Sequence, residues 1–157
     1  MKVIFLDIDG VLNCGECFKS HRDDWEAKGK PEVSKRWNML EPVHIQHLNR
    51  IITETGAKIV ISSSWRGDAN TNSELINTGV IGEIIGDTPR MPKMGGAETM
   101  ERGYEIQAWL DKHPEVDKFA ILDDDSDMLP HQPLFKTSFK TGLTQEVADQ
   151  VIKHLNQ

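Results

Sequence analysis

The chain has 157 residues, 38% of them hydrophobic and 27% charged, enough for one soluble globular domain with its own core. Its formal net charge of −7 argues against broad affinity for a phosphate backbone, which relies on Lys and Arg, but leaves room for a local cationic groove. No apolar run reaches the roughly 18 residues of a membrane span. The first run is short and broken by Asp7, so it is not a signal peptide, and a cytoplasmic protein is expected.

Val3-Ile4-Phe5-Leu6 has no polar alternation, which predicts a strand covered on both faces, as in a parallel sheet. It runs into Asp7-Ile8-Asp9-Gly10-Val11. Two carboxylates at a strand's carboxyl end lie where open α/β sheets bind ligands, and Gly10 permits a tight turn. Asp and Gly are also ordinary turn formers, so this stretch alone does not fix a site. The two cysteines, Cys14 and Cys17, have the C-x-x-C spacing of a redox pair or of half a zinc site, with His21 as a third ligand. No second pair completes four ligands, and the helix start of a redox motif is not evident, so two free loop thiols are expected. Between Glu16 and Glu41 six Lys/Arg cancel six Asp/Glu, which predicts a small flap over 14–41 rather than a basic arm. Its Trp25 and Trp37 would pack it onto the core or stack on a ring.

Pro42 to Thr55 reads as a helix, with Pro at its first position, Val43, Leu48, Ile51 and Ile52 inward, and Gly56 as the stop. His44 and His47 are expected at its surface or partly packed. Lys58-Ile59-Val60-Ile61 is a second strand, ending in Ser62-Ser63-Ser64-Trp65-Arg66. A hydroxyl and the following backbone N–H groups at a sheet edge suit a phosphate oxygen, while a helix cap is the plain alternative. Residues 67–100 hold a weak helix around Ser73–Ile76, a strand at Ile84-Ile85 and a loop with Pro89, Pro92, Gly95 and Gly96, in which Lys93 is expected as a solvated loop lysine, with contact to a ligand as the alternative.

Arg102 opens a helix with Ile106, Trp109 and Leu110 inward and Pro114 closing it. A cation in a first helical turn opposes the macrodipole, which hints at another use for Arg102. Phe119-Ala120-Ile121-Leu122 then leads into Asp123, Asp124, Asp125 and Asp127. Carboxylates this dense repel one another unless a cation neutralises them, and hard oxygen ligands select Mg²⁺ or Ca²⁺. Leu134 to Phe139 is a last strand, Gly142 a turn, and Thr144 the cap of a final helix with Val147, Val151, Ile152 and Leu155 inward.

Three stretches thus share one design, an apolar strand that delivers polar groups at its carboxyl end. Alternating strands and helices imply right-handed crossovers and a parallel sheet, which gathers those ends on one edge. An acidic pair, hydroxyls, an acid cluster and a cation together suit phosphoryl transfer, in which a carboxylate can be the nucleophile.

The ordered set Asp7-Ile8-Asp9-Gly10-Val11, a strand ending in Ser63, a cation, and Ile121-Leu122-Asp123-Asp124 resembles the haloacid dehalogenase (HAD) superfamily phosphatases over essentially the whole chain. The resemblance implies a single Rossmann-like three-layer α/β sandwich over 1–157, with a central parallel sheet and no large cap domain. It implies Asp7 as nucleophile and Asp9 as general acid and then base. Mg²⁺ would be held by Asp7, the Asp9 carbonyl, Asp123 and Asp124. Ser63, or Ser62 after a one-place slip, would bind the transferring phosphoryl group with the Ser64 backbone. The family's usual lysine is replaced by Arg102, with Lys93 the alternative. The segment from Arg102 is similar to the phosphatase half of polynucleotide kinase-phosphatase, in which a residue like Arg66 touches substrate phosphate. An uncapped site of this family goes with large phosphorylated substrates, which points to a nucleic-acid 3′-phosphate. The net charge keeps a nucleotide or other small phosphomonoester in contention. A binding module that takes phosphate or metal without turnover is the third reading.

Overall fold

The structure, a computed structural model, describes residues 1–29, 40–92 and 101–157. Strands β1 (Lys2–Leu6), β2 (Lys58–Ile61), β3 (Ile84–Asp87), β4 (Lys118–Asp123) and β5 (Leu134–Lys136) form one sheet in the order β3-β2-β1-β4-β5, all parallel. Five helices accompany them among the described residues: α1 (Gly15–Ala27), α2 (Pro42–Thr55), α3 (Thr71–Asn77), α4 (Arg102–Leu110) and α5 (Gln145–Asn156).

Alternation along β1 divides the core. Ile4 and Leu6 face α2, α3 and α5 with Leu48, Ile51, Leu75 and Val151, while Val3 and Phe5 face α4 with Ile106 and Trp109. Both faces of the central strand are therefore apolar, as its unbroken run requires. The chain steps from β1 to β2 and β3 across one face and returns to β4 across the other. This Rossmann-like winding places its switch point between β1 and β4, where such sheets bind ligands.

α2 has Pro42 at its start and ends at Gly56 in the left-handed region (φ 69°), and Thr144 caps α5 by accepting from the Val147 N–H. Within α2, Val43 is exposed and Ile45 takes the inward place expected of it. His44, expected near the surface, is buried. Its ring bonds the Leu143 carbonyl, contributed by the approach to α5. The last strand ends at Lys136, three residues early, because the chain turns at Ser138–Gly142 to meet α5.

The segment expected as a flap begins with α1, which has no buried residue; Trp37 lies outside the described residues, as does Lys93. Cys14 and Cys17, expected as free thiols, are joined in a disulfide. The reason is local: Cys14 is the N-cap of α1, and the first helical turn brings the two Cα atoms to 5.2 Å, within disulfide reach. No helix among the described residues is long and apolar enough to cross a membrane.

Candidate active site

The register of the three inner strands builds the site. Leu6 pairs with Ile61 on one side and Leu122 on the other, so the next residue of each strand reaches one level. The Asp7 N–H bonds the Leu122 carbonyl at 2.9 Å, and the Ser62 N–H bonds the Leu6 carbonyl at 2.8 Å. Asp7, Ser62 and Asp123 therefore leave the sheet side by side.

Carboxylate oxygens of Asp7, Asp123 and Asp124 all lie within 4.8 Å of one another. Asp7 is 9% exposed and Asp123 2%. Burial pushes the Asp7 carboxyl up to about 6, against the opposing help of the Ile8 N–H, the Ser63 hydroxyl and the Arg102 charge. Burial, and after it the negative charge of Asp7, push Asp123 up to about 8, and Asp124 is raised mainly by burial too. Three ionised carboxylates at this spacing, taken out of water, need a positive charge among them. An all-oxygen donor set of this kind fits a hard divalent cation such as Mg²⁺.

Gly10 lets this cluster close. Its φ of 79° lies in the left-handed region, and a Cβ there would stand 2.4 Å from Asp124 Oδ2. Its N–H donates to Asn13 Oδ1 (2.9 Å), and its carbonyl accepts from the Thr137 hydroxyl (2.7 Å), which ties the turn to the segment after β5.

Asp9 stands apart from the three-acid cluster and is gripped at both oxygens. Oδ1 accepts from Asn13 Nδ2 at 2.9 Å and Oδ2 from the Trp65 indole N–H at 3.0 Å. The polar edge of Trp65 is thus committed to Asp9. Replacing Trp65 with Phe keeps the ring and removes the donor. Losing one hydrogen bond to a charged group, about 1.5 kcal/mol or more, should slow any phosphate release about tenfold. An unchanged rate would show that this bond does not set Asp9.

Of the hydroxyls, that of Ser63 lies close enough to Asp7 to help hold its carboxyl down and accepts from the Trp65 backbone N–H at 3.3 Å, while the buried Ser62 Oγ finds no partner among the described residues. Ser64 is exposed, and its carbonyl accepts from Arg90 Nη2 at 2.8 Å. The same Arg90 nitrogen donates to the Arg66 carbonyl, which clips the loop after β2.

Arg102 sits close enough to Asp7 and Asp123 for its charge to lower both. Its Nη1 is buried, without a hydrogen bond among the described residues, 3.6 Å from Glu105 Oε2. Arg66, expected at a substrate phosphate, is buried in an ion pair: Nη2 donates to Glu105 Oε2 at 2.7 Å and Nη1 to Thr88 Oγ1 at 3.3 Å. Glu105, missed in the sequence, is thus the hub that holds Arg66 and faces Arg102. Asp127, in the acid run, serves α4 rather than the acid cluster, its side chain accepting from the Arg102 N–H and its carbonyl from the Gly103 N–H.

The family model for the HAD domain in Swiss Army Knife RNA repair proteins matches residues 3–148. The chain belongs to this HAD family. Comparison with curated proteins found no match, and comparison with solved structures found none. The parallel five-stranded sheet is that of a Rossmann-like HAD fold, and the described residues of this HAD domain contain no cap.

Proposed function

We propose that this HAD domain is a Mg²⁺-dependent phosphomonoester hydrolase that works through an aspartyl-phosphate, with a nucleic-acid 3′-phosphate as its substrate. The observation that carries the reading is the meeting of Asp7 with Asp123 and Asp124 at one sheet edge, beside a separately held Asp9. An Asp7 oxygen attacks phosphorus as the ester bond breaks, and Asp9 gives its proton to the departing oxygen. Asp9 then takes a proton from water, whose oxygen attacks the same phosphorus and releases inorganic phosphate and free Asp7. Asp7, Asp123, Asp124 and the Asp9 carbonyl would hold Mg²⁺, which when bound neutralises charge on the phosphoryl oxygens. Ser63 and the Ser64 N–H bind those oxygens, and Arg102 offers Nη1, which makes no hydrogen bond among the described residues. Arg66 acts at one remove, by fixing Glu105 behind Arg102.

The substrate class rests on the RNA-repair family and on the absence of a cap among the described residues. The net charge of −7 favours a second reading, a nucleotide or other small phosphomonoester. Phosphate release from 3′-phosphorylated oligonucleotides, matched 5′-phosphorylated ones, nucleotides and phosphopeptides decides between them. Preference for the 3′-phosphate supports the first. Equal or faster release from free nucleotides supports the second, and no release from any of them, with Mg²⁺ present, leaves a binding module.

The raised carboxyls also set a pH dependence. Asp7 and Asp123 hold protons more tightly folded than unfolded, so the metal-free fold is most stable when both are protonated. That contribution is lost as pH rises from the ordinary carboxylate range through about 6 and about 8. A divalent cation replaces the protons, so the rise in Tm on adding Mg²⁺ should be several degrees larger at pH 8 than at pH 5. Thermal melts with Mg²⁺ and with chelator measure it, and an equal shift at both pH values would contradict the shared site.

A further inference from the structure

A second set of metal-ligating atoms lies away from the acid cluster. Cys14 and Cys17 from the start of α1, and His44 from the first turn of α2, place two sulfurs and one ring nitrogen within 4.8 Å of one another. They line a cavity of about 390 Å³, together with His21, Glu41 and Glu16. Cys14 is 2% exposed and His44 4%.

The histidine is already oriented as a ligand. Its Nδ1 lies 2.9 Å from the Leu143 carbonyl, which can only accept, so Nδ1 carries the hydrogen and Nε2 presents its lone pair. Nε2 points at Cys17 Sγ, 3.9 Å away. Ligands about 2.3 Å and 2.0 Å from a tetrahedral zinc ion stand roughly 3.6 Å apart, so little movement is needed on this edge. Gly142 leaves the ring its room, since a Cβ there would fall 2.5 Å from Nε2. His21, the nitrogen suggested by sequence spacing, is engaged with Glu41 on the cavity wall.

We propose that reduced Cys14 and Cys17, with His44, form a binding site for a soft divalent cation of the zinc class. Thiolate and imidazole ligands select such an ion, whereas the all-carboxylate cluster selects Mg²⁺, so the two sites sort metals by ligand chemistry. Three protein ligands leave the fourth position to water. The Cys14–Cys17 bond keeps the site closed. A dithiol opens it by passing two electrons and two protons to the S–S bond, which leaves two thiols here and a disulfide on the reductant. The arriving ion then displaces both thiol protons to solvent.

The test uses the whole chain, reduced with dithiothreitol, freed of reductant under nitrogen and titrated with Zn²⁺, then with Co²⁺ as a spectroscopic probe. One zinc per chain should be retained through desalting, and cobalt should show a thiolate charge-transfer band. Oxidised protein and Cys17→Ser should retain none, and His44→Gln should bind at least tenfold more weakly. Asp123→Asn should bind zinc as the parent does. Cys17 is only partly buried, so its serine variant keeps the test open should the His44 variant unfold, which circular dichroism reports. The proposal is overturned by zinc retained equally in the oxidised protein or in Cys17→Ser, by cobalt without a thiolate band, or by a thiol count that stays at zero after dithiothreitol.

Discussion

Asp7→Asn should abolish phosphate release, by about 10⁴-fold or more, because the amide cannot form the aspartyl-phosphate. The size of the loss separates this role from a purely electrostatic one. Asn is close in shape to Asp and keeps an acceptor oxygen toward Ser63 and Arg102, so binding and fold should survive. The variant also removes one of three crowded carboxylates, of which Asp123 is buried. Metal-free Asp7→Asn should therefore melt above the parent at pH 8, by about 3 °C for each ~1 kcal/mol of relieved repulsion. A dead but more stable protein is the signature of a residue kept for chemistry. Asp9→Asn should lose about 10²–10⁴-fold, with most of the loss on substrates whose leaving group needs a proton. Single-turnover measurement on an aryl phosphate and on an alkyl phosphate checks both, and residual Asp7→Asn activity within tenfold of the parent would remove the covalent route.

Glu105→Ala should be the most destabilising single change near the site. Glu105 is 1% exposed, and its loss strands the Arg66 guanidinium, itself 6% exposed, with Thr88 as its remaining side-chain partner among the described residues. A buried ion pair broken from one side costs about 3–5 kcal/mol, or roughly 10 °C in Tm at this chain length. Activity should fall as well, because Glu105 also faces Arg102 and accepts from the Met91 N–H, joining α4 to the loop after β3. Arg102→Ala is the control that separates the two effects. It lies more exposed, so stability should change little while turnover drops severalfold or more. Melting and phosphate release on the two variants, side by side, would refute the scheme if Arg102→Ala proved the less stable protein.

What was legible in the sequence follows from what local pattern encodes. The strand runs at Val3, Lys58 and Phe119 carry their own burial, and a parallel sheet has to collect their ends, so the meeting of Asp7 with Asp123 and Asp124 was within reach. Arg102, whose charge lies close to Asp7 and Asp123, was singled out by standing at the wrong end of a helix dipole. Glu105 gave no such sign. An acid in a first helical turn is ordinary, and only packing puts Arg66 against it from a loop 39 positions away. The Trp65 contact was equally hidden, because nothing local reveals that its indole N–H meets Asp9 across 56 positions. The cysteines were misjudged because the helix start that positions them, at Gly15, lies inside the pair and not ahead of it.

The central place of β1 has a consequence for how the molecule comes into being. Among the described strands it leaves the ribosome before both of its neighbours, β2 and β4, which are contributed from later stretches of the sequence. During synthesis Val3–Leu6 therefore waits with both hydrogen-bonding edges bare and both faces greasy, a template for mispairing with other nascent chains. Sequence changes that delay the arrival of β4 should show first as lost soluble yield, while the molecules that do escape aggregation keep full specific activity.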